Sequence, residues 1–395
     1  MRVGFNYPFA YNRFGSQIGP DIWVSAADWD TYNKLAAAGQ VNRIPLPPMF
    51  DHVDRNLANL KRMGLEVVRW FLLGNGNNYG PAPTRVLRMP QIGKFPLPSI
   101  DFTPPPTLDQ RFTRDFEELL KRFATAKLQI LPSLISFEFG AADKSGPGPN
   151  GTGYGGRADA MTDPAKRKIF LDTVLGSLLA VSAGYRDQVY AWEVINEPIW
   201  LCRGFGPNSV SEWGPRQPEL TDQQMSDFLS DAINRINNVG FQSTVGHRYF
   251  DDLSRYPTGL LRQFHDYNEH SFWNTIALGY SNDPPQIRGG GLFTGNPKPI
   301  LGEFDSSHNR FGDPWAKDLR GSDTTLTRLG LLASQGCEMA FIWPDLGGAK
   351  KGRVPASALT AEQNAVDASD VIKLLPDTRD YIAKFTNGTA PPPGE

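Results

Sequence analysis

Short apolar runs recur along the chain, each bounded by turn residues and most followed by a stretch whose apolar positions repeat at spacings of three and four. Buried parallel strands joined by helices read this way. The strand candidates lie at 3–6, 67–72, 129–135, 191–195, 243–246, 262–266, 299–303 and 339–343. Pro132 falls inside the third, which leaves the limits of that strand open. Helical spacing is plainest over 53–63, 108–126, 164–183, 222–238 and 324–335. Asp163 directly before Pro164, and Thr221 before Asp222, are suited to cap two of these helices. The stretch 282–299 is rich in Gly and Pro, so the helix after the sixth strand is expected to be very short.

Strict alternation of strand and helix excludes an all-β sandwich. Eight units fit a closed (β/α)8 TIM barrel better than an open doubly wound sheet, whose first turn would carry a Gly-rich nucleotide loop. Neither GxGxxG nor GxxxxGK[ST] occurs. The long irregular stretches 8–52, 74–106, 140–162 and 201–218 all follow strands. They therefore build up the C-terminal mouth, where barrel active sites form. A single α/β domain over 1–388 is expected, with 389–395 as a stiff Pro-rich tail.

Composition narrows the picture only a little. With 40 basic and 42 acidic side chains in 395 residues, overall charge gives no reason to expect a nucleic-acid or anionic-membrane partner. Cys202 and Cys337 belong to no CxxC or Cys/His cluster and read as ordinary buried thiols, with no metal implied. The start reads directly as a strand and no later apolar run reads as long enough to span a membrane, so a cytoplasmic location is expected; a secreted protein whose leader has been removed reads the same way. The sequence carries no signal of oligomeric state. Asn150-Gly151-Thr152 and Asn387-Gly388-Thr389 match the glycosylation pattern, which short segments also do by chance.

Two segments carry chemistry. In Trp192-Glu193-Val194-Ile195-Asn196-Glu197-Pro198 a strand ends by presenting Asn and then Glu, and Pro stops it. In Pro299-Ile300-Leu301-Gly302-Glu303-Phe304 a second apolar strand ends in a carboxylate three strands later. Glu197 and Glu303 are thereby expected to face one another over the lumen. Paired carboxyl groups suit glycosidic cleavage, in which one protonates the departing oxygen and the other attacks the anomeric carbon or activates water. Such chemistry needs no cofactor and no metal. Separations of about 5–5.5 Å go with retention, and of roughly 6.5–9.5 Å with inversion.

On these motifs the chain resembles clan A of the glycoside hydrolases, the retaining barrels with catalytic carboxylates on strands four and seven, and looks most like family 5, the cellulase and mannanase family. The resemblance covers nearly the whole barrel. It implies Glu197 as acid/base and Glu303 as nucleophile, with Asn196 holding the sugar 2-hydroxyl. It further implies that Arg69 bonds the nucleophile, that Tyr267 of His265-Asp266-Tyr267 donates to Glu303, that His265 contacts substrate or tunes the acid/base, and that Trp343 forms a sugar platform. Glu303 would be ionised and Glu197 protonated at rest. The family's His at the end of strand three has no counterpart in Leu134-Ile135-Ser136-Phe137-Glu138.

Other residues near strand ends have two readings. Trp70, Trp200, Trp213 and Trp273 are either sugar-stacking rings or lid packing, and His247 and Glu138 sit where they could touch substrate. Glu193 shares parity with Glu197 and is expected in the lumen beneath the site, where it needs a buried partner. The expected partner is a gluco- or manno-configured carbohydrate, cleaved by an endo-β-glucanase or β-mannanase. An exo-acting β-glycosidase and a transglycosylase stay open. A barrel enzyme acting on a phosphorylated sugar would use the basic loop Gly347-Gly348-Ala349-Lys350-Lys351-Gly352-Arg353. A carbohydrate-binding pseudoenzyme would lack one carboxylate.

Overall fold

The structure is a computed structural model that describes residues 1–7, 9–10, 13–14, 49–74, 108, 110–141, 157–203, 218–266, 298–305, 332 and 336–343. Eight strands close into a barrel: β1 Arg2–Tyr7, β2 Val67–Phe71, β3 Gln129–Ser136, β4 Trp192–Asn196, β5 Ser243–His247, β6 Leu261–Asp266, β7 Ile300–Asp305 and β8 Met339–Trp343. Neighbours in sequence pair in parallel, and β1 pairs with β8 to seal the ring. The predicted (β/α)8 barrel is therefore the observed fold, with strand limits within two residues of those expected. Pro132 lies inside β3, opposite Trp70 of β2, and does not end the strand. A short antiparallel ribbon, Phe9–Ala10 with Arg13–Phe14, follows β1.

Outside the ring lie α1 Met49–Arg62, α2 Gln110–Ala126, the long segment α3 Pro164–Gln188 and α4 Asp222–Asn238. Their buried stripes follow the helical repeat: Val53, Leu57 and Leu60 on α1, Phe112, Phe116, Leu119 and Phe123 on α2, and Met225, Phe228, Leu229, Ala232 and Ile236 on α4. The capping residues act as expected. Asp163 accepts from the Ala165 and Lys166 amides, and Thr221 and Gln224 form a capping box. Segment α3 is not one regular helix. It passes through a π turn at Leu171–Leu175 and ends in a 3-10 stretch at Ala183–Gln188.

One expectation needs correction. By length and composition α3 is apolar enough to cross a membrane. Its apolar side is nevertheless occupied: Phe170, Leu171, Val174, Leu175 and Leu178 are buried, and the segment packs on α2 and α4. A helix held against a barrel wall needs this composition for that reason.

Two apolar layers result. The larger lies between barrel and helices, where Trp70 stacks on Tyr7 at 4.5 Å and meets Phe123 edge-on. The smaller fills the lumen: Val67, Leu131, Ala191, Leu261, Ile300, Met339 and Phe341 form a separate buried cluster. Gly4 makes room for it, since a Cβ there would stand 2.5 Å from the Phe341 ring. This apolar plug is the floor on which the polar residues rest. The predicted helix at 324–335 apart from Leu332, the stretch 282–297 and the tail 389–395 lie outside the described residues.

Candidate active site

Simple alternation would not bring the polar residues together. In β7, Ile300 belongs to the floor, yet Glu303, three residues on, also points into the lumen and bonds Arg69. The register explains this. Phe264 of β6 pairs with Leu301 and His265 with Glu303, so Gly302 is an extra residue, and the ladder to β8 shifts nearby. Strand β4 does the same: Glu193 pairs with Thr244 and Asn196 with Gly246, leaving two residues opposite one, so Glu193 and Asn196 both face inward. Bulges of this kind re-aim side chains at the rims of barrels.

Arg69 is the hub and is fully buried. Its Nε and Nη2 donate to the two oxygens of Glu193 at 2.7 and 2.6 Å, and Nη2 also donates to Asn196 Oδ1 at 2.8 Å. Nη1 donates to Asn6 Oδ1 at 3.0 Å and to Glu303 Oε1. Burial alone would lower the proton affinity of the guanidinium, but the Glu193 and Glu303 carboxylates outweigh it and the net shift is upward. Glu193 accepts two further bonds, from Ser133 Oγ and Gln263 Nε2, both at 2.6 Å. The partner expected for Glu193 is thus Arg69. Gly246 leaves the space for this layer: a Cβ would lie 3.1 Å from Glu193 Oε1 and from His265 Nε2, and 3.2 Å from Arg69 Nη2.

Above the hub stand Glu197, Glu303 and His265. One oxygen from each carboxyl and one imidazole nitrogen all lie within 4.8 Å of one another. His265 Nδ1 is 3.0 Å from Glu197 Oε1 and 3.6 Å from Glu303 Oε2. The Trp200 indole donates to Glu197 Oε2 at 2.7 Å, and Arg248 Nε lies 3.6 Å from Glu197 Oε1. Glu197 has φ +50°, a left-handed conformation rare for a residue with a side chain. Its amide donates to Gly246 O at 2.7 Å, which holds that turn in place. By donor type the three side chains could hold a cation, but Arg69 and Arg248 already balance much of their charge.

The electrostatics alter one expectation. Burial by itself would raise the Glu197 pKa; the His265 hydrogen bond, the Arg248 and His265 charges and the Trp200 indole outweigh it and bring the carboxyl down to about 2. The net direction is towards the carboxylate, whereas the resemblance implied a protonated acid.

Of the residues singled out by sequence, Glu197, Glu303, Arg69, Asn196 and His265 come together here. Asn196 binds Arg69 through its oxygen and donates to Ser136 Oγ at 3.1 Å. Trp200 is present through its N–H on Glu197, with its ring against Phe137 and Tyr249. His247 is buried against Tyr256 in a ring stack, and burial lowers its pKa to about 3. Trp70 belongs to the core, not to a sugar platform. Trp343 ends β8, and Glu138 lies in the short helix Phe137–Gly140; their side chains, like Tyr267, Trp213 and Trp273, lie outside the described residues. Sequence reasoning missed Asn6, Ser133, Gln263 and Arg248. The first three share inward positions on their strands with the site, a signal that parity could have supplied; Arg248 follows β5 with no motif.

A closed parallel barrel whose mouth holds a buried carboxylate pair above an arginine hub defines the architecture. Solved structures share the barrel fold. The chain is similar to a β-mannanase from the blue mussel Mytilus edulis, with a TM-score of 0.53 and 14% identity over 93% of this chain and 92% of that one. It is similar also to a β-1,4-D-mannanase from Cryptopygus antarcticus, with a TM-score of 0.50 and 16% identity over 92% and 89%. An exo-β-1,4-mannosidase from Opitutaceae bacterium strain TAV5 matches with a TM-score of 0.50 and 13% identity over 98% of this chain and 59% of that one. At such identities the likeness is one of fold. No protein-family profile matches the chain, and no curated protein sequence matches it.

Proposed function

We propose that this protein is a retaining glycoside hydrolase that cleaves β-linked, mannose-containing saccharides, with Glu303 as nucleophile and Glu197 as acid/base. The observation that carries the proposal is the approach of carboxyl oxygens from Glu197 and Glu303 to within 4.8 Å of each other. An approach this close suits direct attack by one carboxylate better than the wider spacing an inverting pair keeps for its water. The choice of mannosides draws on the activities of the three similar structures.

In the first step Glu303 Oε attacks the anomeric carbon, the bond to the glycosidic oxygen breaks, and that oxygen takes a proton from Glu197. In the second, water attacks the same carbon, Glu197 accepts a proton from it, and the bond to Glu303 breaks. Arg69 pairs with Glu303 and aims it, and Glu193 fixes Arg69 in turn. Substrate in the cleft expels water from Glu197, which favours its neutral form and offsets the pull of its cationic neighbours.

A panel of aryl β-mannosides, aryl β-glucosides, mannan and β-glucan, assayed with wild type and Glu303→Gln, tests the proposal. Cleavage of mannosides that the variant loses by at least about a thousandfold, roughly the 4 kcal/mol lost with a group that acts in the transition state, is expected. Wild-type turnover by the variant, or no cleavage of any β-glycoside, would overturn it.

A further inference from the structure

Arg248 follows the last residue of β5, is 8% exposed, and places its guanidinium over the Tyr249 ring at 5.1 Å, with Nε 3.6 Å from Glu197 Oε1. We infer that Arg248 is a positioning residue that biases Glu197 towards its ionised form, favouring the base half of the reaction over the acid half. The inference rests on the acid/base reading of Glu197.

The groups facing Glu197 come from four places. His265 Nδ1 approaches from β6 at 3.0 Å, the Trp200 indole from the helix Ile199–Arg203 at 2.7 Å, Glu303 from β7 within 4.8 Å, and Arg248 from beyond β5. Trp200 is a neutral donor, and the influence of His265 depends on its own proton. Glu303 opposes a second negative charge. Arg248 alone among these described groups is a cation at every working pH. An opposite charge at this distance lowers a carboxyl pKa by about one to three units. A general acid so placed loses its proton early as pH rises. A general base so placed is ready without further change. Arg248 therefore slows protonation of a poor leaving group and keeps Glu197 ionised for the attack by water.

The two half-reactions can be read separately. With 4-nitrophenyl glycosides of whichever sugar the enzyme cleaves, kcat/KM reports formation of the glycosyl-enzyme. With the corresponding 2,4-dinitrophenyl glycosides, whose departure needs no acid, kcat reports its hydrolysis. Arg248→Met keeps the stem and removes the charge, and Arg248→Gln does so with a polar side chain. In both, the alkaline limb of the kcat/KM profile is expected to move up by about one pH unit or more, and the acid limb of kcat on the dinitrophenyl substrate, where Glu197 as base takes up its proton, to move up by a similar amount. Arg248→Lys keeps the charge and is expected to restore the wild-type limb to within a few tenths of a pH unit. Superimposable profiles for wild type and either neutral variant that folds, or a parallel loss of both rates with no displacement of the limb, overturn the inference. Glu197→Ala separates it from its foundation: if the alkaline limb survives in that variant, the acid/base reading itself is wrong.

Discussion

Replacing Glu193 with Gln removes one charge from beneath the site and almost no volume. Four donors converge on this carboxylate: Arg69 Nε and Gln263 Nε2 on one oxygen, Arg69 Nη2 and Ser133 Oγ on the other, all between 2.6 and 2.7 Å. A glutamine offers a single carbonyl oxygen there, and its amide nitrogen would confront two donors. Arg69 would keep its charge in a fully buried position with Glu303 as its remaining carboxylate partner among these contacts. Breaking a buried pair in this way costs about 3–5 kcal/mol, a large share of the roughly 5–15 kcal/mol that holds a folded domain together. Chemistry suffers as well, because the Nε–Nη2 edge that Glu193 clamps sets where Nη1 meets Glu303; misplacing such a group costs up to about a hundredfold in rate. Urea denaturation of Glu193→Gln and wild type, with kcat/KM measured on the folded variant, checks both numbers. The midpoint should fall with an unchanged denaturant slope. Stability within about 1 kcal/mol of wild type, with undiminished kcat/KM, would refute the view that Glu193 anchors the hub.

Gly246→Ala adds one methyl against Glu193, His265 and Arg69. It is expected to cost about 1–3 kcal/mol of stability and to lower kcat/KM more than Gly240→Ala, whose glycine lies on the surface turn after α4; equal effects on kcat/KM would argue against tight packing of the layer. His247 has a pKa near 3 in the folded protein against 6.5 as a free side chain, so the unfolded chain takes its proton first as pH falls. Stability held above pH 6.5 should therefore decline by roughly 1.4 kcal/mol per pH unit on the way down towards pH 3. His247→Phe should remove that slope in denaturation curves taken at several pH values, and an unchanged slope would assign the loss to other groups.

The barrel was legible because each strand is buried on both faces and so stands out as an unbroken apolar run, and because Thr221 and Asp163 mark helix starts chemically. Glu197 and Glu303 were legible for a related reason: a carboxylate closing an apolar strand has one place to go, the mouth. The bulges at Gly302 and between Glu193 and Asn196 were not. One extra residue in a strand of five or six leaves no periodic trace, and it decides whether Glu303 and Asn196 point inward. Asn6, Ser133 and Gln263 are polar residues within strands that no motif marks, yet each donates to or accepts from the hub or its partner. The bond from the Trp200 N–H to Glu197 was not legible, because it forms beside the left-handed turn at that residue. Arg248 shows that charge brought in from a neighbouring strand end leaves no mark near the motif it influences.

Stereochemistry gives the most direct test of the claim that Glu303 and Glu197 act by double displacement. Proton NMR of an aryl β-mannoside digest, recorded in the first minutes before the product sugar can mutarotate, distinguishes the two anomers. Double displacement across a gap this narrow predicts that the β-anomer of mannose appears first and the α-anomer only later. Release of the α-anomer first would contradict it.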